Sequence, residues 1–469
     1  MKNLFIITLC FIFIIDVYSQ QDDYITVIGD SLIGRVINGE SVREVYGNVV
    51  LTQGDVVITC NKAIQYLAGN EAELTGNVIV RQDSLTITTE QAHYFGNEKK
   101  ATSSSGVKLD DQKVILTADS GDYFFEEDKA VFVRNVKLYD TTATLTSVEL
   151  IYYKEEDRMI AVDDVKIVQE ANIIKADSLE YFRDTRITFA SNNVSILSQE
   201  NNVHIFGDHL EDYAEINYTL IDEDPLLIQI DTSYSSIADT IVQGYIDTIQ
   251  TMSIDTLVIK SITMEAWRDT IELFKATDSV KIVRNNFASI NDLTLYQRDE
   301  GKITTNKNNE SADQPVLWYE NSQLTGDSVA IFLREKQIEL LEVFNNAFIL
   351  SQNDLYSLRF DQTSGQRINL NFNDGKLVST EIFGGVLSIY YMYEEKKPNG
   401  LTRSSSQSAR IVLEENEVSE VRLYGSPVSE FYPEKQVAGK EKTFTLPLFK
   451  YYSNRPDKSE LLRNRLSDN

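Results

Sequence analysis

Cysteine is nearly absent from this chain of 469 residues: only Cys10 and Cys60 occur. Cys10 falls inside an N-terminal apolar run, so the folded part holds one thiol and no internal disulfide. Stability must come from a packed core. Histidine is equally scarce. His93 stands alone beside Tyr94-Phe95, and His204 and His209 are spaced so that strand alternation puts them on opposite faces. That pattern gives no expectation of a metal site. After the N-terminal run no stretch approaches the 18 or so apolar residues of a spanning helix, and the many alternating segments of a large outer-membrane barrel are missing. Basic charge is short as well. Lys and Arg number 44 against 72 Asp and Glu, for a formal charge of −28. A chain with that balance lacks the basic face that nucleic acid requires and gains nothing from an anionic membrane surface. Nucleophile elbows, phosphate-cradling glycine loops, zinc spacings and EF-hand loops are all lacking, so neither a cofactor nor a catalytic residue is expected. Acidic pairs such as Asp163-Asp164 and Asp222-Glu223-Asp224 follow from composition alone.

What is present begins at the N-terminus. Met1-Lys2-Asn3 precedes an apolar run from Leu4 to Ile15, and Val17-Tyr18-Ser19 offers a cleavage site. The run is too short to span a bilayer and reads as a secretory signal peptide over 1–19. The residues before Cys10 make a poor lipidation site. An exported protein is expected. Proline is rare (7), and Val, Ile, Thr, Tyr and Phe dominate the apolar content, which favours strands.

A valine then returns every 29 residues at Val49, Val78, Val107, Val136, Val165 and Val194, without insertion or deletion. Two places on stands an aliphatic in each unit: Leu51, Val80, Leu109, Leu138, Ile167 and Ile196. A further column, Ile58, Ile87, Leu116, Leu145 and Ile174, is followed eight residues later by an aromatic at Tyr66, Phe95, Phe124, Tyr153 and Phe182. A fixed period of this kind marks one supersecondary unit stacked on itself. Within each unit the alternation has period two, so the two aliphatic columns share a face, and the intervening column (Val50, Ile79, Lys108, Lys137, Lys166, Ser195) points to water. Gly47-Asn48, Gly76-Asn77, Gly106 and Asn135 suit a turn or bulge where the strand begins. Each unit thus predicts two strands and two turns, with turns at segments such as Gly69-Asn70, Gly96-Asn97 and Glu155-Glu156-Asp157. Folding the apolar face inward gives an antiparallel two-sheet roll. A parallel β-helix is the competing stack, but its rungs are usually shorter and often carry Asn ladders.

Regularity fades after Val194. The expectation is a first roll over 20–222, a connecting segment over 223–256 that holds Pro225, and a second, looser roll over 257–433. A basic, solvated C-terminal tail is expected over 434–469, with Lys440, Lys442, Lys450, Arg455, Lys458, Arg463 and Arg465.

The recurring Gly-Asn-Val-x-Val element, clearest in Leu74-Thr75-Gly76-Asn77-Val78-Ile79-Val80, and the strands ending in Ala-Asp, as in Leu116-Thr117-Ala118-Asp119 and Lys175-Ala176-Asp177, resemble the OstA/LptA family of lipopolysaccharide export. The match is good over about 40–215 and loose beyond. The resemblance implies an all-β protein, an antiparallel β-jellyroll open at both ends. It would be a periplasmic chain, possibly outer-membrane-associated, that carries lipopolysaccharide or lipid A in its interior. It also implies partners among other lipopolysaccharide-transport proteins through end-to-end strand pairing, with homo-oligomers formed the same way. The chain is longer than a single-roll bridging protein and lacks the C-terminal barrel of the outer-membrane subunit. The candidate lipid-binding residues are the inward columns: Val49, Leu51, Ile58, Val78, Val80, Ile87, Val107, Leu109, Leu116, Val136, Leu138, Leu145, Val165, Ile167, Ile174, Val194 and Ile196. Two rivals stand beside this reading: an exported structural or adhesive repeat protein with a dry core, and a carbohydrate-active β-solenoid, disfavoured by the lack of an exposed aromatic ladder.

Overall fold

The computed structural model describes residues 24–463 except 83–84, 141, 243–244, 269–271, 308–312, 335–336 and 415–416. The expected signal peptide therefore lies outside the described residues. The chain is all-β: strands dominate from Thr26 to Pro433, every described ladder is antiparallel, and the described helices are short turns, one at Ala214–Ile216 and the others near the C-terminus. None of the described helices is long and apolar enough to cross a membrane, which says nothing of strands. By contacts the chain divides into two units, Met1–Ala161 and Val162–Asn469.

The repeat is built from strands that bend in the middle. Most 29-residue units give two long strands, as in Val56–Tyr66 and Glu71–Gln82, joined by turns at the polar segments named above. Over 100–124 the two strands are each split into short halves, Lys100–Ser103 with Val107–Asp110 and Ile115–Ala118 with Ser120–Phe124. The Gly-Asn pairs do not start strands. They sit at a kink inside them, where two residues face one on the neighbouring strand: Gly47-Asn48 fall between the pairs Tyr46↔Lys62 and Val49↔Cys60. The two residues at each kink take left-handed backbone, at Gly47-Asn48, Gly76-Asn77, Arg134-Asn135, Asp163-Asp164, Asn192-Asn193, Asp278-Ser279, Asn345-Asn346 and Gly384-Gly385. Gly and Asn tolerate that conformation, and a bulge of this kind re-aims the strand. Each bent strand contributes one half to a valine arm, after the kink in strands such as Glu40–Gln53, and one half to a tyrosine arm. The kink forms the apex between the arms.

In the first unit the arms close on one another. Gln53 at the free margin of the valine arm accepts a hydrogen bond from the hydroxyl of Tyr94 on the tyrosine arm (2.7 Å) and donates to the Gly96 carbonyl (2.9 Å). Gln65 donates to the Ile25 carbonyl at 2.8 Å, and Ile25 N–H donates to Asn70 Oδ1 at 3.0 Å. Tyr94 and Tyr123 both meet Phe125 edge-on. A buried polar group must be paired, and this network pairs its members while stitching the margin shut. Of the aromatic pairs at the strand ends, Tyr94, Tyr123 and Tyr152 point inward and are buried, whereas Phe95, Phe124 and Tyr153 lie outside. There Lys100 and Lys129 sit over the Phe124 ring, and Arg158 sits over Tyr153.

The second unit keeps the same construction. Leu227, Ile259 and Ile282 of its valine arm pack with Met264, Phe274 and Ala276 of its tyrosine arm. The stretch expected as a connection over 223–256 instead carries paired strands. Leu226–Val242 pairs with Val203–Tyr213 on one side and with Tyr245–Lys260 on the other. The reason is local. Glu223 and Asp224 form another left-handed pair, so Pro225 falls at a kink, where its missing N–H costs no ladder bond. Over the described residues 434–463 the C-terminal stretch is docked rather than a solvated tail; Arg465 lies outside the described residues. Val437, Leu446 and Leu461 are buried in clusters with strands of this unit, because apolar residues are spaced between its lysines.

Candidate functional site

The site is assembled by register. In the first unit, Leu51 pairs with Ile58, Ile58 with Val80, Val80 with Ile87, Ile87 with Leu109, Leu109 with Leu116, Leu116 with Leu138 and Leu138 with Leu145. Two columns separate in the sequence thus merge into one cross-strand row. In the second unit the row runs Ile174, Ile196, Ile205, Leu227, Ile259, Ile282, then Ser289, Leu317, Leu324 and Ile349. It then turns to hydroxyls at Thr363, Ser388, Ser404 and Ser429. A second row at the apex pairs each repeating valine with a small or narrow residue: Val49 with Cys60, Val78 with Thr89, Val107 with Ala118, Val136 with Ser147 and Val194 with Gly207. At Gly207 an added Cβ would lie 2.5 Å from Ile221 Cγ2, so the apex is tight. Burial pushes the Cys60 thiol up to about 11.

Burial sorts the predicted residues into two kinds. The apex valines Val49, Val78, Val107, Val136, Val165 and Val194 are all buried. In the other row, Leu51, Ile58, Val80, Ile87, Leu109, Leu116, Leu138 and Leu145 are buried in the first unit, none above 8% exposed. Ile167, Ile174 and Ile196 at the start of the second unit are only half-buried, as is Ile205 beside Ile196. Within the second unit burial resumes at Leu227 and tightens to full at Leu317. The interior is therefore closed at the apex throughout, and its inner row reaches solvent over the coils that hold Ile167, Ile174, Ile196 and Ile205. The tyrosine arm of the second unit carries polar groups near its strand ends. Asp212 accepts from Thr219 Oγ1 at 2.6 Å and from Arg268 Nη2 at 2.8 Å.

Ile205, Leu227, Ile259, Ile282, Leu317, Leu324 and Ile349 belong to the row but escaped the sequence pattern. The strands that carry them differ in length, so the 29-residue step breaks while the register holds. The outward column behaves as expected: Lys108, Lys137 and Lys166 are exposed. His204 and His209 do not lie on opposite faces. Asp208 is the single residue facing the left-handed pair Asn192-Asn193, the alternation shifts at this kink, and both histidines sit on outer faces on either side of it. His209 Nδ1 lies 2.7 Å from Asp222 Oδ1, and His204 packs on Phe206. The described residues include no group of three metal-ligating side chains. An outer aromatic ladder is present, contrary to expectation: Phe182, Phe189, Tyr213, Tyr218 and Trp267 are half-buried and in ring contact along neighbouring strands.

An antiparallel roll of bent strands around continuous aliphatic rows defines the structural class. Residues 28–177 match the family described as OstA-like protein. Among solved structures the chain is similar to LptH, the LptA-homologous periplasmic component of the lipopolysaccharide transport device of Pseudomonas aeruginosa. The identity is 16%, covering 37% of this chain and 85% of that one, with a TM-score of 0.12. No curated protein matches the sequence.

Proposed function

We propose that this chain is a non-catalytic, periplasmic lipid-binding protein of lipopolysaccharide transport, which holds acyl chains between the arms of its roll. The carrying observation is the half-buried stretch Ile174, Ile196 and Ile205 of the paired aliphatic row, with Ile167 half-buried on the preceding strand, beside members that are buried from Leu227 to Leu324. Each methylene moved from water into such a row gains about 0.8 kcal/mol. A multi-acyl lipid that spreads the arms at this margin is therefore held firmly, and near-equivalent neighbours along the row leave it free to shift. The OstA-like match over 28–177 supports the transport assignment. The N-terminal strand Ser31–Ile37 supports end-to-end pairing: among the described ladders it pairs only with Glu40–Gln53, and Leu32, Ile33 and Val36 are exposed. An apolar edge strand left open in this way accepts a further strand from a partner.

The test is binding of lipid A or a fluorescent fatty-acyl probe to purified protein. Ile196→Asp should weaken binding at least tenfold while Lys166→Asp leaves it unchanged. A protein that binds neither ligand is the exported scaffold with a dry core, the reading favoured by the closed margin of the first unit.

A further inference from the structure

In the second unit the outer face of the valine arm departs from that of the first. Where the first shows exposed Lys108 and Lys137, the equivalent outward positions after two later kinks are Phe348 and Leu387. The segment from Glu434 to Leu462 lies on this face, and its contacts are of a particular kind. Gln362, 1% exposed, donates through Nε2 to the Phe444 carbonyl at 3.0 Å, and its Oε1 accepts from the Leu446 N–H at 2.8 Å. Gln323, 3% exposed, does the same six residues on: Nε2 donates to the Lys450 carbonyl at 2.8 Å and Oε1 accepts from the Tyr452 N–H at 2.9 Å. Each amide thus reads the C=O of one residue and the N–H of the residue two further along, as a neighbouring strand would. Both glutamines stand in one cross-strand row with Leu350 between them. Buried Arg359 grips the Glu434 carboxylate through both Nη atoms, at 3.1 and 2.6 Å, and Glu441 at 3.3 Å. Arg455 donates to the Glu320 and Asn286 carbonyls at 2.7 Å each.

A buried glutamine whose amide is spent on passing main chain would be an unsatisfied polar group if that chain left, unless another main chain replaced it. The arrangement is that of a receptor site, selective for backbone geometry, with sockets for Leu446 and Leu461. The segment is also basic, against a chain of net charge −28, so long-range attraction favours its capture by another copy. We propose that the outer face of this arm is a peptide-receiving groove, that Glu434–Leu462 is its tethered and exchangeable occupant, and that the same segment of a second copy can take its place.

The experiment uses the full chain with a protease site placed at exposed Gly439-Lys440, cut after folding, and a labelled synthetic peptide of residues 440–463. The labelled peptide should enter the groove of the cut protein, and Gln323→Ala and Gln362→Ala should each lower its occupancy about tenfold. Hydrogen exchange on the uncut chain supplies the second readout. The Leu446 and Tyr452 amides should exchange well before those of Leu341 and Val343 in the sheet. A cut protein that stays folded but takes up no peptide overturns the proposal. So does a scrambled peptide that binds equally, or a chain that unfolds on cutting with its segment amides exchanging only alongside the sheet.

Discussion

At the kinks, two adjacent residues share left-handed backbone, and the sequence meets that demand with Gly, Asn, Asp or Ser at nearly every kink. Such backbone costs an ordinary residue about 1 kcal/mol or more and a β-branched one further strain. Asn192, at φ 62°, is an exposed example. Asn192→Val should lower unfolding free energy by about 1–3 kcal/mol, and Asn192→Gly by far less; urea titration with unchanged slope measures both. Asp361 makes a different residue-scale prediction. Burial raises its carboxyl from 3.8 to about 7, against a single hydrogen bond from the Tyr391 N–H. A folded-state value above the unfolded one means that the native chain binds this proton more tightly. The resulting stabilisation is complete below about pH 4 and is lost as pH rises to 7. Asp361→Asn should flatten that part of the stability–pH profile, and a profile identical to the parent's would remove this residue as its source.

At the scale of elements, the repeat is legible because its valine recurs six times at one fixed step, and Gly or Asn directly before five of the six valines signals irregular backbone. Its position was not legible. A left-handed pair at a strand's start and one at its middle look alike in sequence, and only register distinguishes a turn from a kink. The same kink explains the histidine misplacement, since the alternation reverses at Asp208, the single residue opposite the pair Asn192-Asn193. The C-terminal segment was hidden for another reason. Its lysines suggested a solvated tail, while its partners are apolar residues at outward positions some hundred residues earlier, where the lysine column had already given way to Phe348 and Leu387. The strand Ser31–Ile37 carries this scale's prediction. Leu32→Lys with Val36→Lys should abolish end-to-end association, read by crosslinking or size-exclusion chromatography, and leave the melting temperature of the isolated chain unchanged, because both side chains are exposed.

For the molecule as a whole, antiparallel ladders carry an aliphatic row through each unit while the sequence spacing drifts. Hydrogen-bonded register, rather than residue count, keeps the row aligned, which is why the site continues through Leu227, Ile259 and Leu317 beyond the recognisable repeats. Fifteen of the seventeen residues chosen from sequence fall on the paired rows, and Val165 and Ile167 share one face of Arg158–Gln169 by alternation. What sequence could not tell apart was the buried valines of the apex from the half-exposed Ile167, Ile174 and Ile196, since that difference depends on how nearly the arm margins meet. The functional account turns on those margins parting. Photo-crosslinkers placed singly at Ile196 and at Lys166, in cells making lipopolysaccharide, address this directly. Lipid should be captured at Ile196 and not at Lys166; equal capture at both positions, or capture at neither, would mean that the margins do not part around lipid.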